Sequence, residues 1–191
     1  MTDSGKGSLP GSDGEHDLQD RFETTGRALS FYENAMHDRL NDVMRSFIAE
    51  RILFFLSTAD ENGHTDCSPR LGPQGFVRVV DEQTVAYPEL RGNGVHASLG
   101  NILENPHASM LFVDWWETTV GLHINGRATI QESAPGAFDP PDRTKSWVVI
   151  EIDEAYIHCA KHLPQLSIEE FDPPWGTDDE EAKRAGFFSN A

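Results

Sequence analysis

The spacing of hydrophobic positions changes near residue 51, and the change divides the chain into a helical part and a strand-rich part. Before that point one apolar face recurs at three- and four-residue spacing, formed by Leu40, Val43, Met44, Phe47 and Ile48. This spacing predicts a helix from about residue 33 to 50. After it, short runs of β-branched and aromatic residues alternate with turn residues, which is typical of antiparallel strands.

Six or seven strands are predicted, at residues 52–59, 65–70, 76–80, 84–87, 108–115, 118–131 and 147–158. Asn62-Gly63 favours a hairpin between the first two, and Pro88 is expected to end the fourth. Residues 97–104 predict a short helix that Asn105-Pro106 stops. Asn125-Gly126 indicates either a bulge or a hairpin turn. The pattern predicts a mainly β fold, a small β-barrel with few helices, rather than βαβ units.

The length of 191 residues suits one domain with tails. Residues 1–20 are rich in Gly, Ser and Asp, and we expect a disordered N-terminal tail there. Residues 21–162 form the predicted domain. Residues 163–191 carry an acidic run and are predicted to form an acidic C-terminal tail.

Charge and composition exclude several classes of function. The formal net charge of -17 argues against nucleic acid and anionic membranes as partners. No apolar run is long enough to span a membrane, and the N-terminus lacks a secretory apolar region, so we expect a cytoplasmic protein. Cys67 and Cys159 have no metal-binding spacing, and the eight histidines form no HExxH pattern. No metal site is predicted.

The residues that point to chemistry surround the turn Arg91-Gly92-Asn93-Gly94, between a strand and a helix. Backbone N–H groups and a guanidinium at a helix N-terminus favour an anion such as a phosphate. Arg70 and Arg78, on neighbouring predicted strands, are expected to converge on the same dianion. The alternative is an ordinary surface turn with exposed arginines that balance carboxylates. No P-loop, dinucleotide or serine-hydrolase motif is present, so the catalytic residues stay unknown.

Several segments together resemble a known family. They are Phe55–Asp60, Ser68-Pro69-Arg70, Gly75–Val79, Arg91-Gly92-Asn93, Asn101–Pro106, Leu111-Phe112, Ile124–Ala128 and His158–Lys161. In this order they resemble the pyridoxamine 5'-phosphate oxidase-like FMN-binding split-barrel family, in its branch of FMN-dependent enzymes. The resemblance implies a six-stranded antiparallel FMN-binding split barrel with an N-terminal helix and one inserted helix. It also implies a homodimer with FMN at the interface and an FMN-dependent oxidoreductase that acts on an unknown small-molecule substrate.

Matched by position, the resemblance implies five FMN-binding residues: Ser68, Arg70, Arg78, Arg91 and Asn93. Of the two strand arginines, either Arg70 or Arg78 would hold the phosphate. Asn101 would brace the inserted helix. Gly94, Val95 and Gly100 stand where relatives carry polar or basic residues, which predicts a less positive phosphate site. The alternative function is a non-catalytic flavin- or haem-binding homodimer, with His96 or His158 as a candidate iron ligand.

Overall fold

The computed structural model describes residues 9–136 and 144–167, and the chain divides into two compact units after His37. The first unit contains helix α1 (Asp13–Arg21), helix α2 (Thr25–Asn34) and a two-residue strand, β1 (Met36–His37). Within this unit the Gln19 side-chain amide donates to the Tyr32 hydroxyl at 2.7 Å, which joins α1 to α2.

The expected disordered tail over residues 1–20 does not hold for residues 13–20, which lie in α1. A capping box starts this helix: the Ser12 hydroxyl accepts from the Glu15 backbone, and the Glu15 carboxylate accepts from the Ser12 backbone. The polar composition of residues 1–20 favoured disorder, and the Ser-x-x-Glu pattern that starts the helix was not used in the prediction. The predicted domain start at residue 21 also differs from the structure, since the second unit begins at Asp38. The predicted acidic tail lies outside the described residues from position 168 onward.

The second unit has two α-helices and seven strands. In chain order they are α3 (Asp42–Glu50), β2 (Leu53–Ala59), β3 (Thr65–Leu71), β4 (Arg78–Asp81), β5 (Thr84–Leu90), α4 (Ala97–Glu104), β6 (His107–Val113), β7 (Gly121–Gln131) and β8 (Thr144–His158). A short 3₁₀ turn, Ala160–His162, comes after β8. Helix α3 begins later than the predicted residue 33, because the Asn41 side chain accepts from the Met44 backbone and caps it.

The seven strands form one antiparallel sheet in the order β3-β2-β6-β7-β8-β5-β4, which does not close on itself. This confirms the mainly β class with few helices, and it adds one strand to the six expected. Alternate residues of the strands face the main core, where the Phe54 ring contacts Phe76, Tyr87 and Phe112. A second, smaller cluster of buried residues contains Ala86, Trp147 and Val149. None of the described helices is long and apolar enough to cross a bilayer.

The structure differs from the predicted strands at Pro88, and at Asn125-Gly126 it selects one of the two predicted alternatives. Strand β5 does not end at Pro88, which pairs with Trp147 of β8, but continues to Leu90. Glu89 is therefore held in the sheet rather than in a loop. Asn125-Gly126 forms a bulge within β7 rather than a hairpin, since the pairing with β8 shifts register there.

Candidate functional site

The turn at residues 91–94 leads directly into the N-terminus of α4, as the sequence predicts. His96 precedes the helix with φ 57° and ψ 33°, a left-handed conformation that is uncommon outside glycine. Among the described residues no side chain caps α4. The amide groups of its first turn are thus available to an acceptor from outside the helix. The Asn101 amide donates to the Thr58 hydroxyl at 3.0 Å, which braces α4 against β2 as expected.

A cavity of about 290 Å³ lies at this helix N-terminus. Its walls are Ser68 and Arg70 of β3, Glu89 of β5, the turn residues 92–94 and the first turn of α4. The structure therefore brings Ser68, Arg70 and Asn93 together. The Asn93 side-chain oxygen accepts from the Val95 backbone at 3.0 Å, so this oxygen shapes the turn.

Arg70 is the cation of this cavity, and neighbours on two strands fix its guanidinium. Its Nη1 donates to the Ser68 hydroxyl at 2.7 Å, and its Nε lies 3.1 Å from a carboxylate oxygen of Glu89. Both side chains of this ion pair are mostly buried, at 18% and 16% exposure. None of the hydrogen bonds that Arg70 makes to the described residues uses Nη2, which leaves that nitrogen for a ligand.

A hydroxyl network continues from Arg70 into α4. The Ser98 hydroxyl donates to Asp66 at 2.6 Å and lies 3.2 Å from the Ser68 hydroxyl. Ser98 is buried, so this network ties the first turn of α4 to β3. The cavity consequently contains two carboxylates, Asp66 and Glu89, beside one guanidinium.

Burial shifts the ionisation of two groups beside Arg70. Burial raises the pKa of the Glu89 carboxyl above its ordinary value, and the nearby charges of Arg70 and His96 oppose this only in part. Burial also raises the pKa of the Tyr87 hydroxyl, the Glu89 charge adds to the rise, and Arg70 counters it. Tyr87 is fully buried, and its O–H has no acceptor among the described residues, since the nearby Arg70 guanidinium can only donate. A buried unsatisfied hydroxyl costs about 1–3 kcal/mol.

The other two predicted arginines do not line this cavity. Arg78 lies on β4 opposite Ala86, so the sheet does not bring it to the walls around Arg70 as the convergence hypothesis requires. Arg91 lies on the far side of the turn, in an adjoining cavity of about 470 Å³ that it shares with Lys145 and Ser146. Their participation in FMN binding stays a prediction.

Sequence reasoning missed Asp66, Glu89 and Ser98. Acidic residues number 32 in this chain, so no local signal separates these two carboxylates from solvated ones. Their role depends on β3, β5 and α4 meeting in space. For Glu89, the one local signal of burial was the apolar strand that precedes Pro88.

A second polar cluster lies between β7 and β8. His123 Nε2 is 3.0 Å from His158 Nδ1, and the His123 ring stacks on Tyr156 with centroids 4.8 Å apart. Burial lowers the pKa of His123, and the neighbouring His158 lowers it further. Within residues 9–136 and 144–167, no group of three or more metal-ligating side chains comes together.

The residues at the α4 cavity fit the phosphate of a nucleotide-like ligand. Uncapped helix amides, Nη2 of Arg70 and the Ser68 hydroxyl are donors of the kind that such an anion requires. The turn also leaves room for a ligand, since an added Cβ at Gly92 or Gly94 would meet open space. The carboxylate of Glu89 is the feature that opposes an anion.

The structure is a mainly β protein with an open antiparallel sheet and an inserted helix, whose N-terminus borders a cavity that contains Arg70. The chain belongs to the pyridoxamine 5'-phosphate oxidase family, because the family model of that description matches residues 40–159, more than half of the 191. This confirms the family that the sequence resemblance indicates.

Solved structures of similar fold include three bacterial proteins. HupZ of Group A Streptococcus is 20% identical, with 67% of this chain and 99% of that chain covered and a TM-score of 0.48. The heme storage protein HutZ of Vibrio cholerae is 14% identical, with 63% and 94% covered and a TM-score of 0.42. General Stress Protein 26 of Bacillus anthracis is 14% identical, with 59% and 88% covered and a TM-score of 0.43. No curated protein matches the chain significantly.

Proposed function

We propose that this protein is an FMN-dependent oxidoreductase that acts on a small-molecule substrate. The observation that carries the proposal is the grouping of Arg70, Ser68 and the uncapped N-terminus of α4 around one cavity. Membership in the pyridoxamine 5'-phosphate oxidase family supports a flavin as the ligand. The flavin would supply the redox chemistry, while the chain binds its phosphate and orients the rest.

The size of the cavity supports a homodimer as part of the proposal. Sites for drug-sized ligands occupy about 300–1,000 Å³, so the 290 Å³ at α4 suits the phosphate and its neighbouring atoms. The ring system would extend beyond these walls, and a second copy of the chain would cover it. Sedimentation of the FMN-loaded protein should then give twice the 21.3 kDa of one chain, with one FMN per chain. A monomer that binds FMN fully would contradict the shared site.

The test of the phosphate site compares FMN with riboflavin, which lacks the phosphate. Arg70→Ala should weaken FMN binding by roughly 2 kcal/mol, about thirtyfold, because a charge-assisted hydrogen bond to the phosphate is lost. Riboflavin binding should change little. Quenching of flavin fluorescence measures both affinities. Arg39→Ala is the matched control, since Arg39 is an exposed arginine paired with Asp38 and Glu82.

Two results would count against this site. An equal loss for FMN and riboflavin would mean that Arg70 supports the fold rather than the phosphate, and an unchanged FMN affinity would remove Arg70 from the site. For the activity itself, bound FMN should be bleached by a nicotinamide or other two-electron donor and recover its colour on transfer to an acceptor. Failure with every donor would leave binding without turnover.

The alternative is a non-catalytic flavin- or haem-binding protein. His96 is the histidine that the geometry favours for an iron ligand, because it is exposed and lines both cavities beside the turn. The other sequence candidate, His158, has its Nδ1 bonded to His123. The absorption spectrum of protein titrated with FMN or haem separates the two. A Soret band that His96→Ala abolishes would favour haem over the proposed flavin.

A further inference from the structure

We infer that Glu89 controls the anion affinity of the α4 cavity, by competing with the ligand's phosphate for Arg70 and by taking up a proton when the phosphate binds. The inference rests on the proposed function, since it concerns the same cavity. It assigns to Glu89 a role that the sequence does not predict.

Geometry makes the competition direct. The Glu89 carboxylate lies 3.1 Å from Nε of Arg70, and only Nη2 of that guanidinium lacks a partner among the described residues. A phosphate at Nη2 would sit close to an ionised carboxylate in a poorly hydrated wall. Like charges at such a distance repel strongly when water does not screen them. Binding therefore favours the neutral form of Glu89.

The buried hydroxyl of Tyr87, beside the same ion pair, gives a second indication. It lies close enough to Arg70 and Glu89 for both to act on its pKa, yet the Arg70 guanidinium can only donate to it, and its O–H has no acceptor in the described part of the chain. A buried donor without an acceptor is rare in native structures. A carboxyl group that shifts as Arg70 turns toward a ligand would provide that acceptor.

The charges that face Glu89 support proton uptake rather than release. The titratable and charged groups around it, from β3, β5, β8 and the turn before α4, are Asp66, Arg70, Tyr87, Arg91, His96 and Lys145. Burial already raises the pKa of Glu89, and the Arg70 charge holds that rise in check. When the ligand's phosphate engages Arg70, this restraint weakens and a negative charge is added, so the pKa of Glu89 rises further. Glu89 then binds a proton as the anion binds.

The experiment compares the wild type with Glu89→Gln, which keeps the shape of the side chain and one acceptor oxygen and removes its charge. FMN and riboflavin are the two ligands, and fluorescence quenching gives their affinities between about pH 5 and 8, a range that starts near the ordinary carboxyl pKa. Glu61→Gln is the matched control, since Glu61 is an exposed residue of the β2–β3 turn. Calorimetry in two buffers of different ionisation enthalpy counts the protons taken up.

At the upper pH, Glu89→Gln should bind FMN about tenfold more tightly than the wild type, because the competing charge is gone. The difference should shrink as the pH falls and Glu89 becomes protonated in the wild type. On binding one FMN, the wild type should take up more protons than the variant does, by at most about one proton. Comparing the two proteins at each pH cancels the ligand phosphate's own titration near pH 6. Riboflavin should show neither effect, and Glu61→Gln should behave as the wild type.

The outcomes separate this inference from the proposed function. If the wild type binds FMN and Glu89→Gln neither tightens binding nor reduces proton uptake, the role of Glu89 is overturned and the function stands. If neither protein binds FMN at any pH, both fail. Tight binding by the variant alone would support the competition directly. Should Glu89→Gln not fold, equal proton uptake by the wild type with FMN and with riboflavin would overturn the inference.

Discussion

The ion pair between Arg51 and Asp114 should be the most sensitive polar contact in the second unit. Arg51 ends α3, and Asp114 comes directly after β6, so the pair joins the helix to the sheet. Arg51 Nη1 is 3.0 Å from a carboxylate oxygen of Asp114, and the two side chains are 8% and 2% exposed. The guanidinium also lies 4.5 Å from the centroid of the Phe47 ring. We therefore consider Asp114→Asn, which removes the charge with little change of volume.

The magnitude depends on what Arg51 would retain. Its other carboxylate neighbour is Glu50, whose side chain is 60% exposed and 3.1 Å from Nη2. Nε of Arg51 is buried without a hydrogen-bond partner among the described residues. Breaking one side of a buried ion pair costs about 3–5 kcal/mol. We expect about 3 kcal/mol for Asp114→Asn, the low end of that range, because Arg51 retains the Glu50 carboxylate and the face of the Phe47 ring.

Asp114 also organises the loop after β6. Its carboxylate accepts from the backbone N–H groups of Trp116, Glu117 and Thr118, at 3.0, 3.2 and 2.9 Å, and from the Thr118 hydroxyl at 2.7 Å. An asparagine amide would turn a donor toward one of these donors. Each bond lost adds about 1 kcal/mol, so the estimate of about 3 kcal/mol is a lower bound.

Urea unfolding followed by tryptophan fluorescence is the assay. With an m-value of about 2 kcal/mol per molar, a loss of about 3 kcal/mol lowers the midpoint by about 1.5 M. The control is Asp42→Asn, which breaks the exposed pair with Arg45 and should cost under about 1 kcal/mol. If the two variants unfold at the same urea concentration, the buried pair contributes no more than a surface one and the reasoning fails.

The pH dependence provides an independent check on the same residue. Burial alone would raise the pKa of Asp114, but the hydrogen bonds from Thr118, Trp116 and Glu117 outweigh it, and the pKa lies well below its ordinary value. The ionised form is thus favoured in the folded state. Its stabilising contribution is complete above the unfolded pKa of about 3.9 and is lost as the pH falls below it. Asp114→Asn should therefore lose less stability on acidification than the wild type.

Two glycine substitutions, one in the sheet and one in α4, should change the free energy of unfolding in opposite directions, and a histidine substitution should change its pH dependence. Gly126→Ala should destabilise the protein by about 2–3 kcal/mol in urea unfolding, because its Cβ would lie 2.0 Å from the Glu151 carbonyl oxygen and force β7 from β8. Gly100→Ala, in open space within α4, should instead stabilise by about 0.5–1 kcal/mol; a loss there would contradict the helix placement. Burial and His158 lower the pKa of His123 in the folded protein, so as the pH falls the unfolded chain binds a proton at His123 before the folded protein does. The folded state of the wild type therefore loses stability between about pH 7 and 5, and His123→Gln should reduce this loss.

Local signals account for the parts of the fold that the sequence predicts well. Asn105-Pro106 ends α4 at Glu104 as expected, because a residue before proline leaves the helical conformation. The Asn62-Gly63 turn places β2 against β3 with the expected pairing. The turn at residues 91–94 was likewise predictable, since it depends on glycine and on the helix that begins after it.

The parts that failed depend on contacts between distant segments. Pro88 is tolerated inside β5 because it pairs with Trp147, more than fifty residues away, and no local rule anticipates that. The same pairing holds Glu89 in the sheet, where it meets Arg70 of β3. The predicted convergence of Arg70 and Arg78 assumed that their strands are neighbours, but β3 and β4 lie at opposite ends of the strand order.

Glu89 has two opposing effects on the cavity, and both arise from one contact. Its negative charge weakens the attraction between Arg70 and an incoming phosphate, because part of that attraction is already satisfied. Yet the pair, together with the bond to Ser68, fixes a long and flexible side chain before any ligand arrives. A guanidinium that is already oriented loses less conformational entropy on binding. A carboxylate that a proton can neutralise orients Arg70 before the anion arrives, and its opposition is removed once the anion binds. In the proposed anion site, the ion pair would thus orient the guanidinium and also limit the affinity for the ligand.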